Sequence, residues 1–214
     1  MKPLRHGRRA FTLVELLVVI VLAMMLFALV VPMAKERSRS PFQPCLSNLK
    51  QIGTAWAMYA GDNQDRFPLA ASPGSINPVA TQYSFIHAYL GENAQALHCP
   101  TDLRSAAQSF SNLTDVTVSY FAGLPETLSG HLESQGQLLA GDRNLTGGRW
   151  EGGLMSFDSV SALSWANGLH YSSGQPALGN VLFRDGHVDT FDGTRLQETI
   201  RPAGTNVQRI LVPR

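Results

Sequence analysis

The sequence is short of cysteine, charge and aromatic side chains, and these shortages exclude some classes of protein. Of 214 residues, 15% are charged and 8% aromatic, and the only cysteines are Cys45 and Cys99. Neither cysteine belongs to a CxxC unit or to a ligand set with zinc spacing, which argues against a zinc domain. In an exported protein they would form a disulfide worth roughly 4 kcal/mol, and the alternative is two buried thiols.

The charges that do occur are unevenly placed. Four bases, Lys2, Arg5, Arg8 and Arg9, fall in the first ten residues, where no acid occurs. Beyond residue 10 there are 13 basic and 16 acidic residues, a net charge of −3. The body therefore lacks the basic excess that is typical of nucleic-acid-binding proteins, and we expect no DNA or RNA partner.

The sequence also lacks the local signatures of common enzymes. It contains no GxSxG, HExxH, P-loop or dinucleotide-binding motif, so it predicts no catalytic residue. The polar residues that most resemble a catalytic or metal-binding group are His170, Asp185, His187, Asp189 and Asp192, with Asp142 and Asn144 upstream. Because the Asp185-Gly186 dipeptide is favoured in turns, a structural role is the simpler interpretation of Asp185.

One long hydrophobic run lies near the N-terminus. Residues 16–31 are all apolar, and Glu15 is the only charge in residues 11–34, which reach the length of about 20 residues that a membrane-spanning helix needs. The preceding bases orient the run with its start in the cytoplasm and the body exported. It fits a signal anchor, or a leader followed by a mature helix. A cleaved secretory signal fits less well, because Pro32 lies where a small-residue cleavage site is needed.

Glu15 is the feature of this run that requires a reason. A carboxylate in hydrocarbon costs about 2.5–3.5 kcal/mol on insertion scales. Cleavage between Ala10 and Phe11 would create an amine four residues before Glu15 on the same helix face, where the two charges neutralise each other. Pairing between neighbouring subunits would also fix their axial register, because a mispaired subunit leaves a charge unmatched.

The residues around Glu15 resemble a known processing site. Type IV pilins and type II secretion pseudopilins carry a cleavage and methylation motif similar to Arg8-Arg9-Ala10-Phe11-Thr12-Leu13-Val14-Glu15-Leu16. The resemblance implies that prepilin peptidase cuts before Phe11 and methylates its amine, with Ala10 in place of the usual glycine, and that Glu15 directs assembly. It also implies other pilin subunits and an inner-membrane assembly platform as partners, and a helix kink at Pro32.

A second resemblance covers most of the chain. A large group of pseudopilin-like proteins from planctomycetes and verrucomicrobia carries motifs similar to CLSNLKQIG (45–53), YAGDN (59–63), FP (67–68), CPTD (99–102), GDRN (141–144) and NVLFRDGHV (180–188). Major pseudopilins of type II secretion typically hold calcium in their C-terminal loops. The resemblance therefore makes Asp185, Asp189 and Asp192 candidate calcium ligands, at a spacing unlike that of an EF-hand. No other cofactor is expected.

The body predicts one helix followed by strands. Five apolar residues recur at helical spacing, namely Leu46, Leu49, Ile52, Trp56 and Tyr59. They predict an amphipathic helix from residue 45 to about 60, after a break at Pro41 and Pro44. Apolar runs at 119–122, 137–140, 179–183 and 187–191, and a weaker one at 207–212, predict strands between long loops. Asp185-Gly186 predicts a two-residue type I′ hairpin with Phe183 opposite Val188.

These patterns together predict an α+β, pilin-like fold, in which a long N-terminal helix packs on a small antiparallel sheet. The predicted parts are a basic leader at 1–10, a membrane helix at 11–34, an amphipathic helical part at 35–62 that breaks near 41–44, and a loop-rich periplasmic domain at 63–214. The predicted function is structural, as a subunit of a type II secretion pseudopilus or type IV pilus-like filament anchored in the inner-membrane bilayer. The alternatives are a signal-anchored periplasmic protein that binds a glycan or other ligand, and a hydrolase.

Overall fold

The structure is a computed structural model that describes residues 12–30, 42–67, 78–124, 138–151, 153–157, 161–167, 169–170, 177–200 and 208–213. The chain divides into two compact units, residues 1–39 and residues 40–214. Each unit is described by itself below.

The first unit contains helix α1, Leu13–Val30. Its side chains are exposed on every side of the helix as far as Phe27, with Leu13 81% and Val21 43% exposed. Within the described residues, no helix combines the length and the apolar character needed to cross a bilayer. The predicted membrane segment, 11–34, is longer than α1, and residues 11 and 31–34 lie outside the described part of the chain.

The second unit combines three helices with strands over its described residues. The helices are α2 (Phe42–Asp62), α3 (Pro78–Ser84) and α4 (Gly193–Ile200), with 3₁₀ turns at Ala88–Leu90, Ala94–Leu97, Phe110–Asn112 and Asp115–Thr117. The strands are β1 (Tyr120–Gly123), β2 (Leu138–Asp142), β3 (Leu145–Thr146), β4 (Arg149–Glu151), β5 (Leu154–Phe157), β6 (Ser164–Trp165), β7 (Leu178–Phe183), β8 (Val188–Asp192) and β9 (Gln208–Leu211).

Seven of these strands form one antiparallel sheet. Their order is β4-β5-β9-β1-β2-β7-β8, and β3 and β6 form a separate antiparallel pair. The last strand, β9, is the third in this order and lies inside the sheet between β5 and β1. The two edge strands are β4, from the middle of the unit, and β8, from the C-terminal hairpin.

Apolar side chains pack on both faces of the sheet. The cluster that includes α2 contains Cys45, Leu49, Ile52, Trp56, Tyr120, Ala122 and Leu182. A second cluster contains Phe121, Val181, Ile210, Trp165 and Leu196. Successive residues of β1 and of β7 enter different clusters, as the alternation of side chains along a strand requires. The sheet is therefore covered by α2 on one face and by the segments of β6 and α4 on the other.

The α+β class and the antiparallel sheet are confirmed. Two local predictions are wrong. The second helix starts at Phe42, not Cys45, and includes Pro44, because proline in a first helical turn removes an N–H that has no partner there.

The C-terminal hairpin also differs from the prediction. Leu182, not Phe183, lies opposite Val188, and the N–H of Phe183 donates to the carbonyl of His187. The loop thus has three residues, 184–186, and Gly186 alone among them has a positive φ, of 86°. A type I′ turn needs positive φ at both central residues, which Asp185 does not adopt.

Candidate functional site

The N-terminus of α1 is built around Thr12 and Glu15. Glu15 Oε2 accepts hydrogen bonds from the Thr12 N–H at 3.0 Å and from its hydroxyl at 2.9 Å, and the Glu15 N–H donates to Thr12 Oγ1 at 3.2 Å. This reciprocal arrangement is a capping box, which supplies partners for N–H groups that a helix start leaves open. Ala10, Phe11 and Pro32 lie outside the described residues.

In the second unit, a disulfide ties α2 to the segment before β1. Cys45 in the first turns of α2 is bonded to Cys99, 54 residues later in the chain. Both cysteines are fully buried. One turn further along α2, Asn48 donates from its amide to the carbonyl of His98 at 2.9 Å and to the hydroxyl of Tyr120 at 3.3 Å. The bond and the amide together fix the start of α2 against β1.

A buried polar group lies beside the disulfide. Asp142 Oδ2, at the end of β2, is 3.0 Å from His170 Nε2 and accepts from Asn180 of β7 through its backbone N–H at 2.6 Å and its amide at 3.0 Å. The other ring nitrogen of His170, Nδ1, is 3.4 Å from Thr101 Oγ1. His170 Nε2 is 3.9 Å from the Sγ of Cys99. Asp142, Asn180 and His170 are all buried.

A second buried carboxylate, Asp102, holds two arginines. It pairs with Arg104 at 3.0 Å and with Arg143 at 2.8 Å, and it accepts a hydrogen bond from the Ser119 hydroxyl at 2.8 Å. Burial by itself raises the pKa of Asp102, but the hydrogen bonds from Arg143, Arg104 and Ser119 outweigh it and hold that pKa well below its ordinary range. Asp102 is therefore ionised over the whole physiological range.

The structure divides the histidines and carboxylates that the sequence analysis considered together. His170 and Asp142 lie in the buried group, whereas Asp185 and His187 form an exposed pair in the hairpin loop. The His187 backbone N–H and ring, both bonded to the Asp185 carboxylate, lower the pKa of Asp185. This separation does not support an acid-base site that combines the two histidines.

The three candidate calcium ligands have other partners in the structure. Asp185 bonds to His187, Asp189 pairs with Arg195 at 2.9 Å, and Asp192 accepts the Arg195 N–H at 2.8 Å at the start of α4. Over the described ranges, the three carboxylates do not form one ligand set. Calcium binding by these three residues stays a prediction that the resemblance implies.

Sequence reasoning missed several residues of these groups, for different reasons. The capping role of Thr12 could have been predicted, because Thr-x-x-Glu before an apolar run is the pattern of a capping box. The pairing of Asp102 with Arg143 joins residues 41 positions apart, and no local signal connects them. The structure nevertheless brings together four of the quoted motifs. The residues that contribute are Asn48 of CLSNLKQIG, Asp102 of CPTD, Asp142 of GDRN and Asn180 of NVLFRDGHV.

Comparison with known proteins bears on the first unit. The model of the family described as the prokaryotic N-terminal methylation motif matches residues 5–31. This match confirms the resemblance to pilin-like proteins that was based on Ala10, Phe11 and Glu15. No curated protein and no solved structure matches the chain. The matched motif is the kind that prepilin peptidase processes, and it supports a pilin-like subunit that assembles with others.

Proposed function

We propose that this protein is a structural subunit of a type II secretion pseudopilus or type IV pilus-like filament. The observation that carries the proposal is the methylation motif at residues 5–31, which contains Glu15 four residues after Phe11. In this function prepilin peptidase removes the basic leader by cutting between Ala10 and Phe11. It then methylates the new amine of Phe11, and no reaction is carried out by the subunit itself.

The apolar surface of α1 supports an assembly role. A helix that is apolar on all sides must be covered by lipid or by other protein. We propose that residues 11–34 lie in the inner membrane before assembly, with the leader in the cytoplasm and the unit of residues 40–214 in the periplasm. In the filament, the α1 helices of neighbouring subunits then replace lipid. The buried Cys45–Cys99 disulfide suits an oxidising compartment.

Glu15 then has two separable roles. Within its own chain it completes the capping box with Thr12, which requires a hydrogen-bond acceptor but not a charge. Towards a neighbouring subunit it neutralises the Phe11 amine, which requires the charge. Because glutamine also serves at this position of a capping box, Glu15→Gln keeps the first role and removes the second.

This separation defines the test. Glu15→Gln should be inserted in the membrane and processed like the natural chain, but it should be absent from sheared filaments in a strain lacking the natural gene. Thr12→Val is the matched control, because it weakens the helix start by about 1 kcal/mol and leaves the Glu15 charge in place. We expect Thr12→Val to assemble. Normal assembly of Glu15→Gln would refute the charge pairing.

A further inference from the structure

Cys45, Cys99 and His170 form a compact group of three potential metal ligands. One ligand atom from each, two sulfurs and a ring nitrogen, lies within 4.8 Å of the others, and all three residues are buried. Among the described residues, no other group of three or more histidine, cysteine, aspartate or glutamate side chains comes this close together. In the oxidised protein the two sulfurs are bonded to each other, so neither is available as a thiolate ligand.

We propose that the chain binds a zinc ion at this place when the disulfide is reduced, through both thiolates, Nε2 of His170 and a carboxylate oxygen of Asp142. Zinc at about 2.3 Å from sulfur and 2.0–2.1 Å from nitrogen, in tetrahedral geometry, places its ligand atoms roughly 3.3–3.8 Å apart. Nε2 of His170 already lies 3.9 Å from the Sγ of Cys99, whereas the two sulfurs are bonded to each other and must move apart. Separation of the two sulfurs after reduction opens the centre of the group.

Asp142 lies beside this group of three but outside its 4.8 Å limit, so it would become the fourth ligand by moving towards the sulfurs. Its Oδ2 is 3.0 Å from Nε2 of His170, and its Oδ1 is buried without a hydrogen-bond partner in the part of the chain that the structure describes. An open acceptor on a buried carboxylate is uncommon, because burial without a partner costs free energy. Coordination of the metal would give the carboxylate that partner and offset its charge.

Thr101 is placed to orient the ligands. Its Oγ1 is 2.9 Å from the Sγ of Cys99 and 3.4 Å from Nδ1 of His170. The hydroxyl can therefore accept from Nδ1–H and donate to the Cys99 thiolate. The metal would then take the place of the present neighbours of Nε2, which are Asp142 Oδ2 at 3.0 Å and the amide nitrogen of Asn180 at 3.2 Å. Hydrogen bonds of this kind to the outer side of a ligand fix its tautomer and raise metal affinity.

The site and the disulfide exclude each other. A phosphine or dithiol reductant supplies two electrons, and with two protons the disulfide becomes two thiols, whose protons are released when zinc binds. Oxidised glutathione reverses this step. It takes two electrons from the thiolates and two protons from water, becomes two molecules of reduced glutathione, and the Cys45–Cys99 bond forms as the zinc is released. The metal would thus hold the newly made chain in its fold until oxidation.

Cobalt provides a direct test on the full chain in detergent. After reduction by a phosphine, titration with Co²⁺ should give the visible absorption of a tetrahedral site together with thiolate charge transfer, and Zn²⁺ should abolish both. The oxidised chain should give neither. His170→Gln should weaken Co²⁺ binding by at least about tenfold, whereas His187→Gln, at an exposed histidine outside the site, should bind like the natural chain.

Two results would overturn the site. One is a reduced natural chain without tetrahedral Co²⁺ absorption, and the other is a His170→Gln spectrum equal to that of the natural chain. A second measurement uses only the natural chain, so it still tests the site if His170→Gln fails to fold. Zn²⁺ should slow alkylation of Cys45 and Cys99 in the reduced natural chain, and equal rates with and without Zn²⁺ would also overturn the proposal.

Discussion

Asp102 is a buried carboxylate whose loss would leave two arginines without their counter-charge. Its side chain has no exposed surface and pairs with both Arg104 and Arg143. Removing one partner of a buried ion pair costs about 3–5 kcal/mol, because the remaining charge is left unmatched. We therefore expect Asp102→Asn to lower the free energy of unfolding by at least about 3 kcal/mol, measured by urea denaturation of the full chain in detergent.

Asp189→Asn is the matched control for this change. Asp189 also pairs with an arginine, Arg195, but its side chain is 44% exposed and that of Arg195 is 59% exposed. An exposed pair contributes about 0–1 kcal/mol. Equal losses of stability in the two variants would contradict the importance of burial for Asp102.

The lowered pKa of Asp102 also predicts how stability depends on pH. Because the pKa is lower in the folded than in the unfolded chain, the Asp102 contribution is fully present above the unfolded value of about 3.9 and is lost as the pH falls through the folded value. The difference in melting temperature between the natural chain and Asp102→Asn should therefore be constant from neutral pH to about pH 5 and narrow below about pH 4. If the difference in melting temperature narrows already near neutral pH, the lowered pKa of Asp102 is not its cause.

At the scale of residues, what could be predicted depended on distance along the chain. The importance of Glu15 followed from one charge in an apolar run. Its pairing with Thr12 was missed, although the three-residue spacing is that of a capping box. Asp142 meets His170 and Asn180, and Asp102 meets Arg143, all from other segments of the chain, so these pairings required the fold. The local sequence was enough to single out individual residues, but which residues contact each other could be known only from the folded structure.

Helix α2 contains two glycines with different surroundings. A Cβ added to Gly53 would lie 2.8 Å from the Cδ1 of buried Leu182 in β7, whereas a Cβ on Gly61 would have nothing within 4 Å. Gly53 therefore permits the close approach of α2 to the sheet. Gly61 lies on the exposed end of the same helix.

This contrast predicts opposite effects of alanine. Gly61→Ala should stabilise the protein by up to about 1 kcal/mol through helix propensity. Gly53→Ala gains the same propensity but overpacks the core against Leu182, at a cost of about 1–3 kcal/mol. Thermal unfolding followed by circular dichroism should therefore rank Gly61→Ala above Gly53→Ala, and the reverse ranking would show that α2 does not pack closely on β7.

Among the helices and strands, apolar residues at helical spacing predicted α2. Short apolar runs, the last of them weak, predicted the strands that become β1, β2, β7, β8 and β9 to within a few residues. The strands β3 to β6 were missed, since they have only two to four residues each and are too short for alternation to show. Helix α4 was missed because its sequence, Gly193–Ile200, has only two apolar residues, Leu196 and Ile200, which are too few for a helical period to show.

The disulfide is the one covalent link between distant parts of the second unit. It closes a loop across 54 positions, and the chain-entropy model gives such a loop roughly 4 kcal/mol of stabilisation. The Cys45→Ala, Cys99→Ala double variant should therefore lose about that much free energy of unfolding relative to the oxidised chain in metal-free urea titrations. A loss below about 1 kcal/mol would show that the link constrains the unfolded chain little.

At the scale of the whole molecule, the sequence predicted the α+β class but not the strand order. The internal position of β9 depends on pairing with β5 and β1, whose residues lie some 50 to 90 positions earlier in the chain. A weak apolar run at the end of a chain does not indicate such a position. A pilin-like role could be predicted without the fold, because it depends on a short contiguous motif whose chemistry does not require the rest of the chain.

The proposed function requires that the N-terminal segment is cleaved and methylated as a prepilin motif. Mass spectrometry of the amino-terminal peptide of the protein isolated from its own membranes tests this most directly. We predict a chain that begins at N-methylated Phe11. An intact Met1 would contradict it and would favour a signal-anchored periplasmic protein instead.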